Sequence, residues 1–371
     1  MKVLVTGANG FIGKNLISHL QEIEDVEIIK FDKDDDFSII ENNIKDIDMI
    51  FHLAGVNRPI DPKEFYEGNF DLTKELVDLI NKENPNVKFM FSSSIQAELD
   101  NDYGKSKLSA EKYIQDNIKN NYVFRFHNVF GKWCRSNYNS VVATFCYNIS
   151  HDLEITVNDE NKELELIYID DICYTLVDLL NDKDENIEKI NNIYYINPRY
   201  KVTLGYIVDL INEFKNDMGS IYVPSTGDDF TKKLFATYVS YLPLDKDVTS
   251  TVKHEDERGS FTELVRTMKS GQFSISTSKP GVIRGNHYHH TKMERFIVVK
   301  GKAKITFESV IDETRKEFYV DDTDIKIVTI PVGYTHNIEN IGDGEMVLVM
   351  WCNELFDEKK PDTYRKLIKK K

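Results

Sequence analysis

A chain of 371 residues is about twice the length of a typical single domain, and 41% hydrophobic with 29% charged residues suit a folded protein with two cores. A net charge of −15 argues against nucleic acid or an anionic membrane as partner, and a phosphorylated ligand would need a locally basic pocket. No run approaches the roughly eighteen apolar residues of a membrane span and the N-terminus lacks a signal-peptide pattern. The four cysteines, Cys134, Cys146, Cys173 and Cys352, share no metal-type spacing, which suits reduced thiols and a cytoplasmic location.

Through residue 240 short β-rich runs, at 2–6, 27–31, 49–53, 88–92 and 122–126, alternate with helical periodicity such as that at 11–21 and 72–82. That alternation predicts an α/β domain with a doubly wound parallel sheet of the Rossmann type. From about Lys253 the pattern becomes short alternating runs at 261–265, 296–299, 303–307, 326–330 and 345–351. These predict an all-β barrel or jelly roll. The boundary is placed after Leu242-Pro243, giving domains 1–243 and 244–371. The basic tail Lys369–Lys371 reads as a solvated end.

Gly7, Gly10 and Gly13 follow the first apolar strand and open the first helix. Glycines there let the backbone turn tightly and approach a pyrophosphate, which free N–H groups at the helix start would bind. Gly7, Asn9, Gly10, Phe11, Ile12 and Gly13 are the expected cofactor contacts, together with Leu53, Ala54 and Gly55 after the third strand. Asp32 ends the second strand, where an acid suits an unmodified adenosine ribose and repels a 2′-phosphate. Lys33 beside it points the other way, so NADH and NADPH both stay open.

Tyr103 and Lys107 stand four apart, on one face of a helix. A nearby ammonium would favour the ionised phenol and lower its pKa, and a phenol so tuned can protonate the alkoxide formed as hydride reaches a carbonyl. A hydroxyl from Ser92, Ser93 or Ser94 could polarise that carbonyl. Tyr288 and Lys292 repeat the spacing in the β-rich half, where it carries no meaning. The order of the segments TGANGFIG, HLAG, FSSS, YGKSKLSAEKY, RFHNVFG and YIDDI resembles the extended short-chain dehydrogenase/reductases. That resemblance implies the catalytic set Ser94, Tyr103 and Lys107. Only eight residues separate Ser94 from Tyr103, fewer than in most members, so the choice among the three serines stays open.

In the second half, His287 and His289 alternate along one strand, Glu294 opens what looks like the next, and His336 follows the turn Pro331-Val-Gly-Tyr-Thr. Three imidazoles and a carboxylate suit zinc, iron, manganese or nickel and do not choose among them, with zinc the first expectation. Alternation turns His290 the other way, as a surface or outer residue. The spacing resembles the cupin superfamily. The stretches Asp256–Glu263 and GVIRGNHY also resemble the dTDP-4-keto-6-deoxyglucose 3,5-epimerase group, in which the histidine after Arg-Gly-x is a general base and arginines hold the sugar nucleotide. His287 is therefore either ligand or base, and Arg284 is a candidate substrate contact.

Both halves in this order resemble the bifunctional capsular polysaccharide enzymes of the CapF type. That resemblance implies a UDP-linked 2-acetamido-2,6-dideoxy-4-hexulose as substrate. The cupin would epimerise C3 and the reductase would then reduce C4 with NADPH. The product would be UDP-N-acetyl-6-deoxytalosamine, on the route to N-acetyl-L-fucosamine in capsule or O-antigen. It also implies a homodimer. Arg58, Lys132 and Arg135 are candidates for the UDP phosphates. The competing reading is a sugar-nucleotide reductase whose cupin serves only dimerisation.

Overall fold

The computed structural model describes residues 1–219, 222–244, 248–250, 253–256, 259–262, 266–267, 272–354 and 359–368. Glu257, Arg258 and Glu263 of the stretch Asp256–Glu263, and the tail Lys369–Lys371, lie outside the described residues. The chain packs as two compact units, each drawn from two stretches: residues 1–140 with 164–202, and residues 141–163 with 203–371.

In the first unit, strands β1 (Lys2–Thr6), β2 (Glu27–Phe31), β3 (Met49–His52), β4 (Lys88–Ser94) and β5 (Asn121–Phe126) lie in the order β2-β1-β3-β4-β5, all parallel. A hairpin of Ile187–Ile190 and Ile193–Ile196 extends the same sheet beyond β5. The order reverses around β1, since the chain first passes to β2 on one side and then to β3 on the other. In a doubly wound sheet, the crevice at such a switch point takes the ligand. Val3, Leu4, Val5, Ile50, Phe51, Phe89 and Phe91 are fully buried, as strands covered on both faces must be. Helix α1 (Phe11–Leu20) and the helix Leu72–Glu83 fall where helical periodicity places them. The latter turns Leu76, Val77 and Ile80 inward at helical spacing.

The second unit is built mainly from two five-stranded antiparallel sheets. One has the order Val248–Ser250, Lys326–Ile330, Glu294–Lys300, Met346–Cys352, Gln272–Ser278. The other has Arg315–Asp321, Lys302–Ser309, Tyr334–Asn340, Ile283–Tyr288, Tyr364–Arg365. Phe296, Val298, Ile305, Phe307, Val328, Ile338 and Leu348 form its core. Contacts thus divide the chain differently from one cut at 243/244. The helices Val141–Ser150, Leu204–Met218 and Asp229–Val239 pack on one another inside this unit, burying Phe145, Phe214, Phe235 and Tyr238. A composition change along the chain does not register such packing.

Candidate functional site

The glycine turn is shaped by contact. Gly7 takes a left-handed φ of 66°, and a β-carbon there would sit 2.8 Å from the Ala54 nitrogen. One on Gly13 would meet the Gly7 carbonyl at 2.2 Å. Only glycines let the turn lie against Leu53-Ala54 with α1 beginning directly behind it. The Thr6 hydroxyl joins β1 to β3, lying 2.7 Å from His52 Nδ1 and accepting the Ala54 N–H at 3.2 Å. His52 Nε2 is 2.8 Å from the Thr73 hydroxyl. Burial, with Lys107 nearby, lowers the His52 pKa to about 3, so it is a neutral spacer. Asp32 Oδ2 accepts the Asn9 N–H at 2.6 Å and Oδ1 accepts the Lys33 N–H at 2.9 Å. The acid is held over the glycine turn.

The helix Asp102–Asn117 starts with Asn101 as its cap, whose Oδ1 accepts the Gly104 N–H at 2.8 Å. It carries Tyr103 and Lys107. Of the three serines, Ser94 is the one near enough to the Tyr103 phenol to favour its ionised form, and its hydroxyl also accepts the Gln96 N–H at 3.2 Å. The Ser93 hydroxyl is spent on Glu111, which also binds Arg125. The Ser92 carbonyl accepts from Lys107 Nζ at 2.9 Å. The expected lowering of the phenol pKa is corrected. Burial raises the Tyr103 pKa and outweighs the opposing influence of Ser94. Lys107 is itself fully enclosed, and burial presses its pKa down to about 8 against the pull of Glu111.

Arg58 and Arg135 come together on one ring, their guanidinium carbons 5.6 and 4.9 Å from the centre of Tyr138. Both are exposed and can turn two forks toward an anion. Lys132 is not with them. It is completely buried and ion-paired with Asp170 Oδ1 at 2.5 Å, so its charge is consumed inside the fold. The signal in the sequence, Asp170 in YIDDI, lies 38 residues away.

In the second unit a bulge sets the histidines. Gly285 and Asn286 take left-handed φ of 100° and 58°, and the pairing with Tyr334–Asn340 slips there, setting His287 opposite His336. His287, His289, Glu294 and His336 then offer ligand atoms all within 4.8 Å of one another. Glu294 Oε2 is 3.4 Å from His289 Nε2 and 3.2 Å from His336 Nε2. Tetrahedral ligands at zinc bond lengths stand about 3.4 Å apart. These three atoms are buried, and among the described residues they meet no hydrogen-bond partner outside the trio. The donor set therefore fits a divalent cation. Burial, reinforced by His336 and His289, lowers the His287 pKa to about 3, and burial lowers that of His336 as well, so both rings present lone pairs. Burial alone would raise the Glu294 pKa, but bonds and charge from His289 and His336 outweigh it and hold the carboxyl well below its usual range.

Arg284 is exposed beside this cluster, with Nη1 2.5 Å from the Ser276 hydroxyl. Of the two places expected for His290, on the surface or as an outer residue, burial excludes the surface. The residue is fully buried, its ring 4.8 Å from that of Tyr364 and 5.5 Å from that of Tyr288. The Tyr288/Lys292 repeat forms no helical pair, and Lys292 Nζ binds the Pro361 carbonyl and the Thr363 hydroxyl.

Residues 3–194 match the model of the NAD dependent epimerase/dehydratase family, which is just over half of the chain. The chain belongs to this family. As a member it is an enzyme of the nicotinamide-dependent oxidoreductase and epimerase class. Residues 254–364 match the polysaccharide biosynthesis C-terminal domain. A Pseudomonas aeruginosa protein, UDP-2-acetamido-2,6-beta-L-arabino-hexul-4-ose reductase, is 42% identical over 98% of both chains. The solved structure of the capsular polysaccharide assembling protein CapF from Staphylococcus aureus is 43% identical, with a TM-score of 0.67 over 99% of this chain and 100% of the other. The Bacillus subtilis spore coat polysaccharide biosynthesis protein SpsL is 27% identical over 32% of this chain and 85% of its own length. The CapF-type resemblance and the order of parallel-sheet and antiparallel parts agree with these matches. Among the described residues, no helix is long and apolar enough to cross a membrane.

Proposed function

We propose that the chain converts a UDP-linked 2-acetamido-2,6-dideoxy-4-hexulose to UDP-N-acetyl-6-deoxytalosamine, on the route to N-acetyl-L-fucosamine in capsule or O-antigen. Residues 244–371 epimerise C3 and residues 1–243 then reduce C4. The observation that carries this reading is the presence, in one chain, of a Ser94–Tyr103 pair beside Lys107 and of a four-residue His/Glu cluster. The 42% identity to a reductase of a UDP-linked hexul-4-ose supports the substrate class.

In the epimerisation, the C4 ketone acidifies the C3 hydrogen. A base removes that proton and a proton returns to the opposite face, with no net change in atoms or charge. A divalent ion, zinc in our reading, held by His289, Glu294 and His336 with His287 as fourth ligand or as base, would supply Lewis-acid stabilisation of the enolate oxygen. Arg284 holds the nucleotide sugar in this reading. In the reduction, the nicotinamide supplies hydride to C4. Ser94 orients the carbonyl oxygen, Tyr103 gives it a proton, and Lys107 holds the coenzyme side. Arg58 and Arg135 take the UDP phosphates. The resemblance assigns NADPH as reductant, with NADH the alternative on which Asp32 bears. Hydride transfer removes the ketone, so the epimerised sugar cannot revert. The proposal includes a cytoplasmic homodimer.

The test is incubation with the 4-keto sugar nucleotide and NADPH in D₂O. Deuterium at C3 of a C4-reduced product supports the proposal. Reduction without exchange at C3 favours a reductase whose cupin only dimerises.

A further inference from the structure

His289 and Glu294 are joined by a short loop, and that loop is gripped by a residue some seventy positions downstream. Asp362 Oδ1 accepts the His290 N–H at 3.0 Å. Its Oδ2 accepts the Thr291 N–H at 2.8 Å, the Thr291 hydroxyl at 3.0 Å and the Lys292 N–H at 2.6 Å. The Asp362 carbonyl meets His289 Nδ1 at 2.5 Å. A carbonyl can only accept, so Nδ1 carries the proton and the Nε2 lone pair points into the cluster. Asp362 itself has a left-handed φ of 39°, a region that Asp enters more readily than most non-glycine residues, and its surroundings keep it in place. Those surroundings are visible: Tyr364 and Arg365 pair with Tyr288 and His287, and the Lys366 N–H binds the Asn286 carbonyl.

We infer that Asp362 is a positioning residue of the His/Glu cluster, fixing the tautomer of His289 through its carbonyl and the path from His289 to Glu294 through its carboxylate. The inference rests on the metal reading of that cluster. Four donors converge on one carboxylate, far more than a surface turn needs, and every one comes from the three residues that follow His289. On the other side of the loop Asn353 Oδ1 accepts the Met293 N–H at 2.9 Å, and its Nδ2 donates to the Thr291 carbonyl at 3.2 Å. The segment between the two ligands is thereby clamped from both sides, and the ligands reach the cluster already oriented. Groups that orient metal ligands in this way govern affinity as well as geometry.

Asp362→Asn tests this. It has the same size but sets an amide donor against backbone donors. The full-length protein is stripped of metal and titrated with Zn²⁺ in competition with a chromogenic chelator, with melting temperature followed in parallel. Asp362→Asn is expected to bind Zn²⁺ about 10–100-fold more weakly. It should also show a smaller Zn²⁺-induced rise in melting temperature, with metal-free melting and nicotinamide binding unchanged. Thr363→Ala, which removes the hydroxyl's contacts to Lys292 Nζ and the Pro361 carbonyl but none to the Asp362 carboxylate, should keep Zn²⁺ affinity within about twofold. Wild-type Zn²⁺ affinity in Asp362→Asn overturns the inference. So does a fall in melting temperature that is equal with and without Zn²⁺, since that marks a fold contact alone. A wild-type chain that takes up no Zn²⁺ overturns the metal reading itself.

Discussion

Gly55 lies against Lys107: a β-carbon on Gly55 would sit 2.9 Å from Lys107 Nζ and 2.7 Å from Asn69 Oδ1. Asn69 in turn accepts the Val56 N–H and donates to the Ser106 hydroxyl. The loop after β3 and the helix carrying Tyr103 are thus fitted with no room for a methyl group. Gly55→Ala is expected to displace Lys107 and to slow C4 reduction about 10–100-fold, since a shift of about 1 Å in a positioned group costs that much. Steady-state NADPH oxidation measures it, and C3 exchange in the same sample should not change.

Lys107 gives a pH signature. Its pKa is pressed down to about 8 by burial, so the ammonium is present below that value and is lost as pH rises through it. If the charge holds the coenzyme, kcat/KM for reduction falls above about pH 8, approaching tenfold per unit. Lys107→Arg stays charged and should flatten that limb even where its absolute rate is lower.

Asp32 is held over the glycine turn by the Asn9 N–H. A 2′-phosphate would meet its carboxylate, whereas a 2′-hydroxyl could donate to it. Asp32→Ala is expected to shift the ratio of NADPH to NADH affinity toward NADPH by about tenfold, the size of one charge-assisted bond. Fluorescence titration with each coenzyme reads the ratio directly.

The three basic residues proposed for the phosphates separate into two classes. Arg58→Ala and Arg135→Ala should raise KM for the sugar nucleotide with little change in melting temperature, because both are exposed and share Tyr138. Lys132→Met should instead lower stability by about 3–5 kcal/mol in denaturant titration, since it leaves Asp170 as a buried charge without its ammonium.

The sequence was most readable where function imposes short-range spacing. Gly7 and Gly10 sit between β1 and α1 and Gly13 in the first turn of α1, where close backbone packing leaves little or no space for a β-carbon. His287, His289 and Glu294 are legible because they stand close together in the sequence, although His289 falls just past the end of the strand Ile283–Tyr288 rather than on it, and His336 follows a recognisable turn. What stayed hidden depends on contacts far apart in the chain. Nothing around Lys132 announces its pairing with Asp170, and alternation could not tell a surface from a buried outer place for His290, whose ring lies against those of Tyr288 and Tyr364. The rise in the Tyr103 pKa follows from burial, which a four-residue spacing cannot show. The role of Asp362 was equally invisible, since the loop it grips lies some seventy residues earlier.

The central claim is that one ketone serves both units, acidifying C3 in one and accepting hydride in the other. It is tested most directly with Tyr103→Phe in D₂O, following C3 deuteration by mass spectrometry and NADPH by absorbance. We expect deuteration at the wild-type rate while NADPH oxidation falls about 10²–10⁴-fold, the loss typical of a missing proton donor. Loss of both together, or deuteration that survives His336→Ala, would contradict it.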